Sequence, residues 1–196
     1  HMGNNAFQST QSLESVTFGS GLTSIGERAF EYTSLVSLEL PDSLTHMGNY
    51  AFRYVHELTS LTIGSGLTLI PHEAFGSAQI VTLVIPDTVT EIRNSFQYID
   101  ELTSVTIGTG LQNIYGSAFY GCSGLTEVVI PGTVDSIGGS AFYDNDLLSS
   151  VTIEYGVTRI ESQAFWDTAL VGIVALPETV TSLSSSAFPS WVSLCG

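Results

Sequence analysis

Hydrophobic and polar positions recur along this chain with one period. Leu102, Val105, Ile107, Leu111, Ile114 and Ala118-Phe119 superpose on Leu125, Val128, Ile130, Val134, Ile137 and Ala141-Phe142. The shared unit is Leu-x-x-Val-x-Ile-Pro/Gly-x-x-Val-x-x-Ile-x-x-x-Ala-Phe. It begins at Leu13, Leu35, Leu58, Ile80, Leu102, Leu125, Leu148 and Val171, in steps of 22 or 23 residues. Eight copies fill the chain without linkers, the pattern of a repeat array rather than of one closed core. Within a copy, Val-x-Ile alternates as a short strand does, with both apolar residues inward. Pro or Gly then breaks the strand, Val-x-x-Ile predicts a second inward edge, and the Ala-Phe segment predicts a helical or 3₁₀ turn. A single unit cannot bury its apolar edge, so the copies are expected to stack in parallel with like residues in ladders.

A longer alternation overlies the unit. The corners Gly19/Gly21, Gly64/Gly66 and Gly108/Gly110 alternate with Pro41, Pro86, Pro131 and Pro177, a super-repeat of about 45 residues. The fourth copy departs from the pattern: it lacks one residue before Phe96 and carries Ser95 in place of Ala. Both ends read as partial copies. Ala6-Phe7 has the spacing of a repeat tail, and Leu194 follows Phe188 by the same six residues that separate Phe142 from Leu148. His1-Met2-Gly3 reads as an expression scar. Uncapped ends favour end-to-end association, unless Trp191 and its neighbours fold back as a cap.

Composition narrows the function. Nineteen Asp and Glu stand against four Arg and no Lys, a formal charge of −15 in 196 residues. Such a chain offers no basic surface to nucleic acid or to an anionic leaflet. No apolar run nears the roughly 18 residues of a membrane span. The two cysteines, Cys122 and Cys195, fit no zinc spacing. Three coils apart, they lie beyond disulfide reach in a regular stack. Cys122 is expected to be a buried thiol, and Cys195 one free for an intermolecular bond.

The motif Ile130-Pro131, Val134, Ile137-Gly138, Ala141-Phe142, together with Ala118-Phe119 and Cys122, resembles the BspA-like leucine-rich repeats, also called the Treponema pallidum type. The likeness covers essentially residues 5–196. It departs at the Cys, whose place is taken by Thr33, Val55, Ala78, Ile99, Asn145, Thr168 and Trp191 in the other copies. The resemblance implies a leucine-rich-repeat solenoid, a β-rich right-handed superhelix. It also implies an extracellular or surface-displayed recognition module, of a kind that is often adhesive, and it implies no catalytic activity.

Several rows of residues are candidate surfaces. The exposed strand position reads Thr17, Glu39, Thr62, Val84, Thr106, Val129, Thr152 and Ala175. This row is the expected contact face for a protein or glycan partner. A lattice-matching array for ice or glycan would want Thr on every rung, and Val, Glu and Ala interrupt it. Tyr32, Tyr54, Tyr98, Tyr120, Tyr143 and Trp166 follow the Phe positions at shifting register, which favours packing over a sugar-stacking platform. Glu57, Asp100, Glu101, Asp144, Asp146 and Asp167 read as a solvated acidic edge, without a calcium-loop spacing. His46, His56 and His72 occupy three different phases, so neither a metal site nor a triad is expected, and no cofactor is implied. The expected function is a non-enzymatic recognition scaffold; a structural spacer is the rival reading.

Overall fold

From the second edge of the first copy onward, each alternation of outward polar with inward aliphatic residues forms a strand of two to four residues in the computed structural model, which describes residues 1–195. The first eight are β1 (Ser24–Ile25), β2 (Ser37–Glu39), β3 (His46–Met47), β4 (Ser60–Thr62), β5 (Leu69–Ile70), β6 (Thr82–Ile85), β7 (Glu91–Ile92) and β8 (Ser104–Ile107). The rest are β9 (Asn113–Ile114), β10 (Glu127–Ile130), β11 (Ser136–Ile137), β12 (Ser150–Ile153), β13 (Arg159–Ile160), β14 (Ile173–Ala175), β15 (Ser182–Leu183) and β16 (Ser193–Cys195). Even-numbered strands carry the Val-x-Ile edge and odd-numbered strands the second edge. Every pairing is parallel and joins a strand to its counterpart one coil away. Ile137, for example, lies between Ile114 and Ile160.

Like residues therefore stack into ladders that form one continuous core. Phe30, Phe52, Phe75, Phe96, Phe119, Phe142 and Phe165 are fully buried. With Phe7 and Phe188 they make a single aromatic stack, with centroids 5.0–5.6 Å apart and planes within 13° of parallel. Each ring covers its neighbours, which is how a unit too small for its own core becomes stable in a row.

Prolines decide where the two sheets are interrupted. In the odd series, the residue after the Ile donates its N–H to the preceding coil: Arg93 to the Ile70 carbonyl at 3.0 Å, Tyr115 to Ile92 at 2.9 Å, Glu161 to Ile137 at 2.9 Å. Pro71 holds that position after β5 and has no N–H to give. The odd strands accordingly separate there, into β1-β3 and the six-stranded β5 to β15. In the even series, Glu154 makes the equivalent bond to Ile130 at 3.0 Å, but Pro86, Pro131 and Pro177 cannot. The even strands form only the pairs β2-β4, β6-β8, β10-β12 and β14-β16, each led by a Pro coil. The 45-residue alternation is thus a pairing of coils.

Within a pair the corners interlock. Asp42 Oδ1, just after Pro41, accepts the Ser65 N–H at 2.7 Å and the Ser65 hydroxyl at 2.9 Å. Asp87 receives Thr109 in the same way, at 2.7 and 3.1 Å. The Ser65 N–H, seconded by its hydroxyl, holds the Asp42 carboxyl below the usual carboxylate range. Glycine is required on the facing corner, because a Cβ on Gly64 would stand 2.5 Å from the Leu40 carbonyl.

The Ala-Phe turns are not helical. No helix of any kind occurs among the described residues. Two residues flank each ladder Phe from Phe7 to Phe165 in the left-handed region: Arg28 and Tyr32 around Phe30, Tyr50 and Tyr54 around Phe52, Glu73 and Ser77 around Phe75, Ser140 and Asp144 around Phe142. Their φ values lie between 48° and 62°. A backbone reversing hand twice in five residues cannot propagate a right-handed helix. Its N–H groups go instead to the next coil, as when Phe52 donates to Ala74 at 2.8 Å and Phe119 to Ala141 at 2.8 Å. In the shortened fourth copy, the buried Ser95 hydroxyl lies 2.8 Å from the Pro71 carbonyl and accepts the Arg93 N–H at 3.1 Å.

Two expectations shift by a few residues near the end. Leu170, rather than Val171, enters the Leu ladder, and Val171 is 72% exposed, with Gly172 at φ 79° absorbing the offset. Leu194 pairs with Val174, so it occupies the strand slot rather than starting a ninth unit. The Trp191 indole N–H reaches back to the Leu170 carbonyl at 2.9 Å, while the residue stays 59% exposed. Met2 extends the odd series by bridging to Ile25.

Candidate binding surface

The strand alternation brings the row Thr17, Glu39, Thr62, Val84, Thr106, Val129, Thr152 and Ala175 onto one face, and all eight are exposed. Within coil pairs they are direct neighbours: Glu39 opposes Thr62, Val84 opposes Thr106, and Val129 opposes Thr152. Ala175 opposes Cys195. Thr17 stands on the first coil outside any strand. Val84 and Val129 are 60% and 51% exposed, unusual for aliphatic strand residues and therefore available for contact.

The face is not flat. Where a coil meets the next Pro coil, the missing N–H leaves the strands unpaired, and at two of these junctions a cleft opens. One, of about 410 Å³, lies between β8 and β10 and is lined by Ser104, Thr106, Glu127, Val129, Pro131 and Glu154. Another, of about 300 Å³, lies between the first coil and β2, with Thr17, Ser37 and Glu39 on its walls. The row alone did not reveal these clefts; the signal for them was the proline alternation.

The turn edge holds a column of tyrosines and a group of charged residues. Tyr32 stacks on Tyr54 at 4.8 Å, and Tyr120 on Tyr143 at 5.2 Å, while Tyr98 meets Tyr120 edge-on at 5.3 Å. The tyrosines pack on one another despite their shifting register. Arg53 bridges coils, with its Nε 2.6 Å from Glu73 and its guanidinium 4.3 Å over the Tyr54 ring. Arg28 and Arg93 also pair with carboxylates, Glu27 and Glu91. Burial, and then the charges of Asp146, Asp167 and Asp100, raise the Asp144 carboxyl above its ordinary value. Among the described residues no three His, Cys, Asp or Glu side chains converge as metal ligands.

The histidines stay apart in role. His46 is exposed in β3, His56 Nδ1 is 3.0 Å from the Ser77 carbonyl, and His72 meets Tyr50 edge-on. Cys122 is buried with its thiol 3.0 Å from the Phe96 carbonyl, whereas Cys195 is exposed. Desolvation pushes the Cys122 thiol up to about 12. Among the described residues no helix is long and apolar enough to cross a membrane.

No curated protein matches the chain. Among solved structures, it is similar to a leucine-rich repeat protein from Eubacterium ventriosum, at 25% identity and TM-score 0.72, over 84% of this chain and 45% of that one. It also resembles the T. pallidum leucine-rich repeat protein, at 26% identity and TM-score 0.57, over 86% of this chain and 72% of that one. A leucine rich cell surface protein from Faecalibacterium prausnitzii shares the fold at 24% identity and TM-score 0.55, over 92% and 67% of the two chains. The chain thus spans less than half the length of the Eubacterium protein. Residues 1–98 and 93–194 each match the family described as BspA type leucine rich repeat region (6 copies). With both halves matched and the coils stacked as the repeat requires, the chain belongs to the BspA-type leucine-rich repeat family.

Proposed function

We propose that this chain is a non-enzymatic recognition scaffold from an adhesin-like protein displayed outside the cell, and that it grips a protein partner along the even-strand face. The observation that carries this reading is the in-register, exposed row from Glu39 to Thr152, with Val84 and Val129 presented among Thr and Glu. Exposed aliphatics rimmed by polar groups and set beside clefts are what an interface core needs. The surface description of the Faecalibacterium protein supports placing the chain outside the cell. The charge of −15 favours a partner with a basic face and steers its approach.

The test replaces Glu39, Val84 and Val129 together, as Glu39→Ala, Val84→Ser and Val129→Ser. Binding is read on epithelial cells and on basement-membrane extract by flow cytometry and surface plasmon resonance. The wild-type chain should bind, and the triple variant should lose about tenfold or more in affinity. Its circular dichroism and thermal transition should stay within experimental error of wild type. Undiminished binding by the triple variant, or no binding by wild type, would favour the spacer reading.

A further inference from the structure

The column of tyrosines on the turn edge has a missing rung. Tyr32 and Tyr54 occupy the second position after their Phe residues, as does Tyr98 two coils further on, but the coil between carries Gly76 and Ser77 there. The Phe rings of these same coils, Phe52, Phe75 and Phe96, are spaced 5.6 and 5.5 Å apart. Tyr54 and Tyr98 therefore stand two steps apart, roughly 11 Å. The gap is a real cleft, about 340 Å³, lined by Arg53, Tyr54, Glu73, Ser77, Gln97 and Tyr98. Its floor is open: a Cβ on Gly76 would meet nothing closer than 3.9 Å.

The Arg53 guanidinium covers the Tyr54 side of the gap at 4.3 Å and is tied to the Tyr54 hydroxyl at 2.6 Å and to Glu73 at 2.6 Å. On the Phe spacing, roughly 7 Å remain between the guanidinium and the level of the Tyr98 rung, the room for one flat ring with a van der Waals gap of about 3.5 Å on each side. Tyr98 lines the cleft and is 53% exposed, so part of its side chain is open to a ligand.

We propose that this cleft binds a single neutral hexopyranose residue, its C–H face against Tyr98 and its hydroxyls against Glu73, Gln97, Ser77 and the Arg53 edge. The wall chemistry selects the ligand. An apolar side chain entering the slot would strip water from a carboxylate, an amide and a hydroxyl without replacing their hydrogen bonds. A sugar ring offers an apolar face to the tyrosine and a rim of donors and acceptors to the rest. Arg53 is already neutralised by Glu73, and the molecule carries −15, so acidic sugars and phosphates are repelled. The cleft shares no residue with the even-strand row, so this inference and the proposed protein-binding face stand or fall separately.

Saturation-transfer NMR on the full chain with D-glucose, D-galactose, D-mannose and N-acetyl-D-glucosamine, each at tens of millimolar, tests it. At least one sugar should receive saturation at its ring protons. Tyr98→Ala should weaken that binding about fivefold to tenfold, the effect of losing one stacking face. Ser77→Tyr should abolish it by restoring the missing rung; Tyr32, Tyr54 and Tyr98 already hold that backbone conformation, so the fold tolerates the ring. Tyr143→Ala, two coils beyond Tyr98, should leave it unchanged. No transfer to any of the four sugars, or transfer that survives both Tyr98→Ala and Ser77→Tyr, overturns the assignment.

Discussion

Cys122 and Cys195 are the same side chain in opposite surroundings. Cys122 lies in a buried column whose polar members all answer to phenylalanine carbonyls. Its thiol and the Asn145 amide reach back one coil to Phe96 and Phe119, each at 3.0 Å, while Thr33 and Thr168 bond within their own coils at 2.9 Å. Cys195 is exposed in β16. A thiolate is the reactive form, and desolvation raises the Cys122 thiol from 9.0 to about 12. Iodoacetamide at about pH 8.5 should therefore modify Cys195 alone in the folded chain and both cysteines in guanidinium, as counted by mass spectrometry. Two adducts on the folded chain would contradict the burial. The same shift has a sign in stability. Between pH 9.0 and about 12 the unfolded chain gives up the Cys122 proton while the folded chain keeps it, so this group lowers stability as pH rises through that window and has no effect below it.

At the scale of the element, the missing proline N–H is the cause that links sequence to sheet. Pro71→Ser should supply the absent donor to the Met47 carbonyl and join β3 to β5. The amide of residue 71 should then exchange slowly in hydrogen-exchange NMR, like those of Arg93 and Tyr115. An unprotected amide would show that the interruption has another origin. The apolar ladders were legible in the sequence because each rests on a residue at constant phase, and so was the exposed row that alternates with them. The hand of the Phe turns was not. The left-handed positions hold Arg28, Tyr50, Glu73 and Gln163, which carry no preference for that region; only Asn5, Asn94, Gly121, Asp144 and Asp167 hint at it. The offset at Leu170 was hidden for a similar reason: Val171 is equally apolar, and only Gly172 marks the bulge. The clefts on the even-strand face arise from bonds that are absent, which no pattern of hydrophobic residues records.

For the whole molecule, stability should follow from neighbours rather than from a centre. In a stack of this kind each coil contributes its own term and two interface terms, so a defect matters according to how many neighbours it touches. Phe119 is fully buried between Phe96 and Phe142, whereas Phe7 is 39% exposed and stacks on Phe30 alone among the described residues. Phe119→Ala leaves a cavity with two lost stacking faces and should cost about 3–5 kcal/mol. Phe7→Ala should cost well under half of that, because less surface is buried and one face is already bare. The position of the tryptophans makes a sharper measurement possible. Trp166 and Trp191 both lie beyond Phe119, so their fluorescence reports the last coils while far-ultraviolet circular dichroism reports the whole stack. In guanidinium the two signals should change together for wild type and for Phe7→Ala. Weakening the middle interface by Phe119→Ala should uncouple the halves, so that the fluorescence and dichroism midpoints separate. Coincident midpoints in Phe119→Ala, with the loss no greater than in Phe7→Ala, would mean that the phenylalanine stack is not what transmits stability from coil to coil.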